Sequence, residues 1–176
     1  MKKIVLTFGI ISGLILAAMM ITSLTFFHKV SEDKSLIIGY TTMVLAGLPI
    51  FFGVRSYREN VNGGKLTFVR AFAVGLLISL ISCCFYVGTW EVTYYKFMPD
   101  FAEKYAAQMV ERAKASGASQ QKIDQTTRQA EQFARNYHNP AYNIGMTFLE
   151  VFPVFLAITL LSAGILRKKT AAVTVG

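Results

Sequence analysis

Charged residues are scarce in this sequence. Asp, Glu, Lys and Arg make up 16% of its 176 residues, whereas a soluble domain carries about 25%. Hydrophobic residues reach 53%, and the mean hydropathy is +0.44. The few charges gather in blocks between long apolar runs. This composition is typical of an integral membrane protein and argues against an ordinary soluble domain.

Cysteine is nearly absent as well. Cys83 and Cys84 are adjacent and lie inside an uncharged run, and adjacent residues are badly placed to bond to each other. A thiol in apolar surroundings stays protonated and inert. We interpret both as packing residues, which give no information about the redox compartment.

The motifs of enzymes and metal sites are also missing. The sequence has no Gly-x-Ser-x-Gly, Walker loop or dinucleotide fingerprint, and no His-x₃-His, His-Glu-x₂-His or Cys-x₂-Cys. His28, His138 and Glu91 come to the same predicted surface, but their spacing does not support a metal site. We therefore expect no enzymatic activity, no catalytic residue, no cofactor and no metal.

The net charge of +8 has a membrane explanation. The basic residues lie mostly at the ends of apolar runs, where they favour lipid headgroups. They form no tract interleaved with aromatic residues, so nucleic acid is not an expected partner. The expected partners are the lipid bilayer and either a second copy of the chain or another membrane protein.

The sequence is rich in long uncharged segments. We predict membrane spans at about 4–27, 36–54 and 68–95 within residues 1–98, and a fourth span at 140–169. The third contains twenty uncharged residues, 71–90, which cover about 30 Å as an α-helix. The first run is too long for a signal peptide, so we expect it to be retained. Residues 170–176 are predicted to be a disordered cytoplasmic tail.

Small residues and a proline mark two of these spans. Gly9, Gly13 and Ala17 fall four residues apart. One interpretation is that they form a helix face that another helix can approach closely. The other is that they only reflect how common glycine is in membrane helices. Pro49 is predicted to kink the second span by removing the hydrogen bond to the Leu45 carbonyl.

Residues 99–139 are polar and predict two amphipathic helices, or one long helix bent at Gly117. Pro99 suits a first helical position, and Ser119 suits an N-cap. Asn139-Pro140 predicts a helix stop followed by a restart. The apolar stripes pack on each other, on the membrane surface or on a partner. Their members are Phe101, Tyr105 and Met109 in the first helix and Ile123, Ala130, Phe133 and Tyr137 in the second.

Basic residues next to the span ends predict the topology. Both termini would share one side with the turn after the second span, and that side holds nine basic residues against Glu59 alone. The positive-inside rule then places both termini in the cytoplasm and residues 99–139 outside it. The membrane-interface basic residues are Arg55, Arg58, Lys65, Arg70, Arg167, Lys168 and Lys169, and Lys2 and Lys3 complete the set.

Glu150 is the sharpest candidate site residue, since it lies ten residues into the fourth span, about 15 Å deep. Seven-residue steps place Asn143, Glu150, Ala157 and Gly164 on nearly one face, which we expect to point into the bundle. With Glu91 near the outer end of the third span, Glu150 and Asn143 make a candidate intramembrane polar site. The two acids either form a proton or cation site, or are structural. In the second case Glu150 would bond to a neighbouring Ser, Thr or Tyr, and Glu91 would pair with Lys96 or reach water.

Two pieces of the chain carry a resemblance to a known family. They are the basic turn Arg58-Glu-Asn-Val-Asn-Gly-Gly-Lys-Leu-Thr-Phe68, followed by Ala71, Phe72 and Gly75, and the span end Trp90-Glu-Val-Thr-Tyr-Tyr95. With them, nearly the whole chain resembles a bacterial membrane-protein family catalogued as domain of unknown function 4199. The resemblance implies a bacterial inner-membrane protein. It implies no activity, substrate or catalytic residue.

Together these patterns predict an all-α, four-span integral membrane helical bundle with an extracytoplasmic helical segment between spans 3 and 4. The expected location is the bacterial inner membrane, with both termini cytoplasmic. The expected function is that of a non-enzymatic accessory or assembly protein. The alternative is a small transporter or proton-coupled carrier that uses its intramembrane carboxylates.

Overall fold

The computed structural model describes residues 1–26 and 32–167, and this part of the chain contains helices and no strand. The helices are α1 (Lys2–Phe26), α2 (Glu32–Asn60), α3 (Phe68–Phe97), α4 (Phe101–Ala115), α5 (Gln120–Tyr137) and α6 (Pro140–Leu166). Three sequence predictions fall outside the described residues: the disordered tail at 170–176, the interface residues Lys168 and Lys169, and the position of His28.

Four of these helices are long and apolar enough to cross a membrane: Lys2–Leu24, Ile37–Asn60, Phe68–Phe97 and Pro140–Leu166. The prediction of an all-α fold with four spans is confirmed. The second helix continues to Asn60, six residues beyond the predicted span end at Val54, and Pro49 lies inside it. A helix can run past its apolar stretch because its backbone hydrogen bonds remain satisfied where the side chains become polar.

The described chain divides into two compact units. Unit 1 combines the residues up to Tyr86 with those from Phe148 onward, and unit 2 is Val87–Thr147. The boundaries fall inside α3 and α6, so each of these helices contributes to both units.

Two glycines of α1 mark its contact with α3 in unit 1. A Cβ added at Gly9 would lie 2.8 Å from a side-chain atom of Ile81, and one added at Gly13 would lie 2.7 Å from two atoms of Phe85. The hydroxyl of Ser82 also donates to the carbonyl of Gly9, at 3.2 Å. Glycine at these positions therefore permits close approach of the two helices, which decides between the two interpretations of the small-residue spacing.

The helices of unit 1 alternate in direction. The pairs Gly9–Ile81 and Gly13–Phe85 advance together along the chain, so α1 and α3 are parallel. Gly47 lies against Ile158, and Arg58 bonds to the Leu166 carbonyl, so α2 and α6 are also parallel. Ser12 meets Ala46 and Phe8 meets Gly53, so α1 and α2 are antiparallel. The ends of unit 1 that share one side are therefore the start of α1, the α2–α3 turn and the end of α6.

The interior of unit 1 is apolar with hydroxyl groups that link the helices. Its core includes the fully buried Ile50, Val54, Ile78, Val151 and Phe155. Between α1 and α2, the Ser12 hydroxyl donates to the Ala46 carbonyl at 2.6 Å. Between α3 and α6, the hydroxyls of Ser79 and Thr159 are 2.9 Å apart. Such interhelical bonds help hold a bundle together where water is absent.

Unit 2 is built on a helical hairpin made of α4 and α5. Gly117 breaks the chain between them with φ +69°, a left-handed conformation that glycine adopts without strain. Ser119 caps α5 as predicted, accepting from the Lys122 backbone N–H at 3.4 Å. The prediction for Pro99 was wrong: α4 begins at Phe101 with Asp100 as its N-cap, because Met98 to Asp100 turn the chain first.

The second break in the polar segment was predicted correctly. Helix α6 begins at Pro140, and the side-chain oxygen of Asn139 accepts from the Ala141 backbone N–H at 3.0 Å. Asparagine thus caps the helix and proline occupies its first position, where a missing N–H costs no hydrogen bond.

Aromatic rings form the core of unit 2. The ring centroids of Tyr105 and Phe133 are 5.3 Å apart, and those of Phe101 and Tyr137 are 5.7 Å apart. Trp90 of α3 packs edge-on against Phe101 at 4.8 Å. The two predicted stripes therefore pack on each other, because their aromatic members face one another across the hairpin.

Candidate functional site

Glu150 lies on the outer surface of unit 1 in the single chain. The residue is exposed, next to Leu149, which is 60% exposed. The phenol of Tyr86, from α3, donates a hydrogen bond to its carboxylate. The sequence offered a tyrosine of a neighbouring span as one partner for this carboxyl, and the structure places one there.

The predicted direction of the Glu150 stripe was wrong. Ala157 and Gly164 are exposed along with Glu150, while Asn143 alone is fully buried. A seven-residue spacing identifies a shared helix face without giving its direction. The direction of the face is decided by the residues on the opposite side of the helix, which form the core side of α6. They are Val151, Phe155, Thr159, Ala163 and Leu166.

Asn143 belongs to unit 2 and holds Trp90 in place. Its side-chain oxygen accepts from the indole N–H of Trp90 at 3.0 Å and from the hydroxyl of Thr147 at 3.3 Å. All three residues are buried. Among the described residues, the buried amide nitrogen of Asn143 has no hydrogen-bond partner, a costly arrangement for a donor.

Glu91 is half-buried near the end of α3, in unit 2. Its Oε1 atom is buried and has no hydrogen-bond partner among the described residues. Pairing with Lys96, one of the two alternatives that the sequence left open, is therefore not made through this oxygen. Glu91 and Asn143 thus each contribute one buried polar atom that has no hydrogen-bond partner among the described residues.

The basic turn after α2 is a structured element. Arg58 lies 3.0 Å from Glu59, and its guanidinium also donates to the Leu166 carbonyl at 3.4 Å. This second bond satisfies a free carbonyl at the end of α6, where a positive charge also complements the helix dipole. Arg58 was predicted to be an interface residue, but this contact was not predicted, since 108 residues separate the partners.

The other interface residues have simpler surroundings. Arg55 pairs with Glu59 at 3.0 Å, and Arg70 donates to the side chain of Asn62 at 3.4 Å. Lys65 and Arg167 are exposed. An exposed ion pair of this kind adds little stability, and binding of these residues to lipid headgroups stays a prediction.

A hydrogen-bonded cluster at His138 was not predicted. Its Nε2 lies 2.7 Å from Oε1 of Glu103, and its Nδ1 lies 3.3 Å from the hydroxyl of Tyr94. Hydrogen bonds from its own backbone N–H and from His138 lower the pKa of the Glu103 carboxyl. The cluster links α3, α4 and the α5–α6 junction. No local sequence motif predicts it, because its members are up to 44 residues apart.

Metal ligands do not gather anywhere in the described part of the chain. Within residues 1–26 and 32–167, no group of three or more His, Cys, Asp or Glu side chains is placed to hold a metal ion. Cys83 is buried and Cys84 is exposed, and both are free thiols.

Comparison with known proteins gives one match. A family model described as "Protein of unknown function (DUF4199)" matches residues 7–168. No curated protein and no solved structure matches the chain.

Proposed function

Since the chain belongs to the DUF4199 family of proteins of unknown function, we propose from its own side chains that it is a non-enzymatic accessory or assembly protein of the bacterial inner membrane. It would act by lateral association with another transmembrane protein or with a second copy of itself. The observation that carries this proposal is the exposure of Glu150 on a helix long enough to span the membrane.

A carboxyl on that face needs a partner. Lipid tails supply no hydrogen bonds, and an ionisable group inside the bilayer is costly. The Tyr86 phenol provides one hydrogen bond, but a carboxyl group can make several. A donor side chain from another protein would supply the rest.

The residues in line with Glu150 suit a helix–helix contact. Ala157 and Gly164 are exposed, and a Cβ added at Gly164 would meet no atom of the described residues within 4 Å. Gly9 and Gly13 already pack against α3 inside unit 1, whereas Gly164 makes no such contact with a described residue. We call Glu150, Ala157 and Gly164 the α6 outer face. Its small residues would let a partner helix approach closely, with Glu150 as the hydrogen-bonding point.

The topology is part of the proposal, with both termini cytoplasmic and α4–α5 outside the cytoplasm. The alternation of helix directions supports it, because it gathers Lys2, Lys3, Arg58, Arg70 and Arg167 at one end of unit 1. Such a basic end faces the cytoplasm. Reporters fused after Arg58 and after Gly176 should both read cytoplasmic, and one after Gly117 should not. A periplasmic signal at Gly176 would contradict this orientation.

Substitution of Glu150 tests the association. Glu150→Gln keeps the shape and hydrogen-bonding capacity, so we expect the complex isolated in mild detergent to persist. Glu150→Leu removes the hydrogen bond and should weaken association by about 1–2 kcal/mol, or roughly 5- to 30-fold in the dissociation constant. Both variants should keep the fold because the residue is exposed. Leu149→Ala, at the neighbouring exposed position, is the matched control and should leave association unchanged.

The same variants separate this proposal from a carrier. The carrier hypothesis is favoured by the unpartnered buried atoms of Glu91 and Asn143. A proton-coupled carrier should lose uptake into proteoliposomes in Glu150→Gln or Glu91→Gln, since neither variant can titrate. Association that survives Glu150→Leu at full strength would contradict the accessory proposal.

A further inference from the structure

We propose that His138 is a pH-sensitive contact: when the surroundings become acidic, its hydrogen bond with Tyr94 reverses direction and its contact with Glu103 becomes an ion pair. The inference concerns unit 2 alone and does not depend on the proposed function. Histidine is the side chain whose charge ordinarily changes between pH 5 and 8.

The hydrogen bonds of the cluster determine which ring nitrogen of neutral His138 carries the proton. A carboxylate only accepts hydrogen bonds, so the Glu103 oxygen at 2.7 Å requires a proton on Nε2 of His138. Nδ1 is then the acceptor, and it takes the hydrogen bond of the Tyr94 hydroxyl at 3.3 Å. One imidazole thus connects α3, α4 and the α5–α6 junction.

Protonation reverses one of these two contacts. The imidazolium has hydrogen on both nitrogens, so Nδ1 no longer accepts from Tyr94. The Tyr94 hydroxyl must turn and find another acceptor, while the residue is only 2% exposed. On the other side, the contact with Glu103 becomes a charged pair, and charge-assisted hydrogen bonds are the stronger ones.

Solvent can deliver the proton. The side chains of His138 and Glu103 are 53% and 54% exposed, so the ring reaches water while Tyr94 does not. Glu103 stays ionised throughout, because its pKa is held below the usual range. A carboxyl with a depressed pKa loses its stabilising contribution only as the pH falls through that lowered value.

The charged side chains near the cluster on α4 and α5 have ion-pair partners of their own. On α4, Asp100 is paired with Lys104 at 2.6 Å. On α5, Arg135 is paired with Glu131 at 3.7 Å. On α3, Glu91 and Tyr95 act on Tyr94. Glu103 and Tyr94 are therefore the groups through which a change at His138 is transmitted.

Trp90 is a built-in reporter of this change. It is the only tryptophan of the chain, and its ring stacks with that of Tyr94 at 6.3 Å between centroids. A turn of the Tyr94 hydroxyl changes the polarity beside the indole. The fluorescence of Trp90 in purified full-length protein should therefore change as the pH is lowered.

The test is a fluorescence titration of the protein in detergent, with four variants. His138→Gln should abolish the transition, whereas His28→Gln, which removes the only other histidine, should leave it intact. Tyr94→Phe keeps the ring but removes the hydroxyl, and it should also abolish the transition. Glu103→Gln removes the negative charge that would pair with the imidazolium, and it should move the transition to lower pH.

Three results would overturn the proposal: no transition in the natural protein, a transition that persists in His138→Gln, or one that persists in Tyr94→Phe. Circular dichroism of each variant establishes that the helices are retained. If His138→Gln loses helix, His138→Asn gives the second removal of the titrating group, and a transition that persists there is equally contradictory.

Discussion

Replacing Phe101, Tyr105 and Phe133 together with serine should unfold the α4–α5 hairpin. These rings pack against one another between α4 and α5, with centroid distances of 5.9 Å for Phe101–Tyr105 and 5.3 Å for Tyr105–Phe133. Truncating a buried aromatic side chain costs about 3–5 kcal/mol, and these rings are partly exposed. We expect the three changes to remove more than about 4 kcal/mol together, measured as lost hydrogen-exchange protection across residues 101–137.

The control uses exposed positions of the same two helices. Gln108, Gln121 and Gln132 are all exposed, and changing them to serine should leave exchange protection in place. Native protection in the aromatic triple variant would mean that the rings do not form the hairpin core. In that case they would be free for a partner.

Gly13→Leu should strongly destabilise unit 1. Even a single added carbon at Gly13 would lie 2.7 Å from Cβ and Cγ of Phe85, atoms that cannot move without shifting α3. Overpacking typically costs 1–3 kcal/mol, and the rigid neighbours place this variant at about 3 kcal/mol or more. The measurement is the free energy of unfolding in mixed micelles.

Gly88→Leu is the matched control for Gly13→Leu. It lies in α3 with nothing within 4 Å of an added Cβ, and it makes the same chemical change in a membrane-length helix. We expect its unfolding free energy to stay close to that of the natural protein. Equal losses in both variants would show that the α1–α3 contact does not depend on Gly13.

Much of the fold could be predicted from hydrophobic patterning. Twenty uncharged residues in a row commit a chain to a membrane helix, because backbone groups must bond within the segment. The breaks at Gly117 and Asn139-Pro140 were equally readable, since glycine, asparagine and proline have local backbone preferences. Helix ends such as that of α2 were less predictable, because a helix continues beyond its apolar run until a turn stops it.

The sequence identified the residues of the candidate site, but it did not predict how they are arranged in space. Depth in the span identified Glu150, and the seven-residue step correctly grouped it with Ala157 and Gly164. The direction of that face depends on which side of α6 offers more bulk, which involves the other helices. Asn143 and Glu91 belong to a different unit from Glu150, and no spacing rule gives that division.

Contacts over long sequence separations were beyond sequence reasoning. Arg58 and Leu166, or His138 and Tyr94, come together only when packing is complete. Arg58 and His138 each read as surface residues in the sequence. The role of Arg58 follows from its bond to the Leu166 carbonyl. The role of His138 follows from its contacts with the Glu103 carboxylate and the Tyr94 phenol.

Cross-linking along α6 in intact membranes tests the central claim most directly. In a chain without Cys83 and Cys84, single cysteines would replace Gly164 on the α6 outer face or Ile165, which is 68% exposed. These neighbours lie at the same depth and about 100° apart on the helix. With a thiol-attached photo-cross-linker, position 164 should give protein adducts that Glu150→Leu diminishes, and position 165 should give lipid adducts. Lipid adducts alone at both positions would contradict the account.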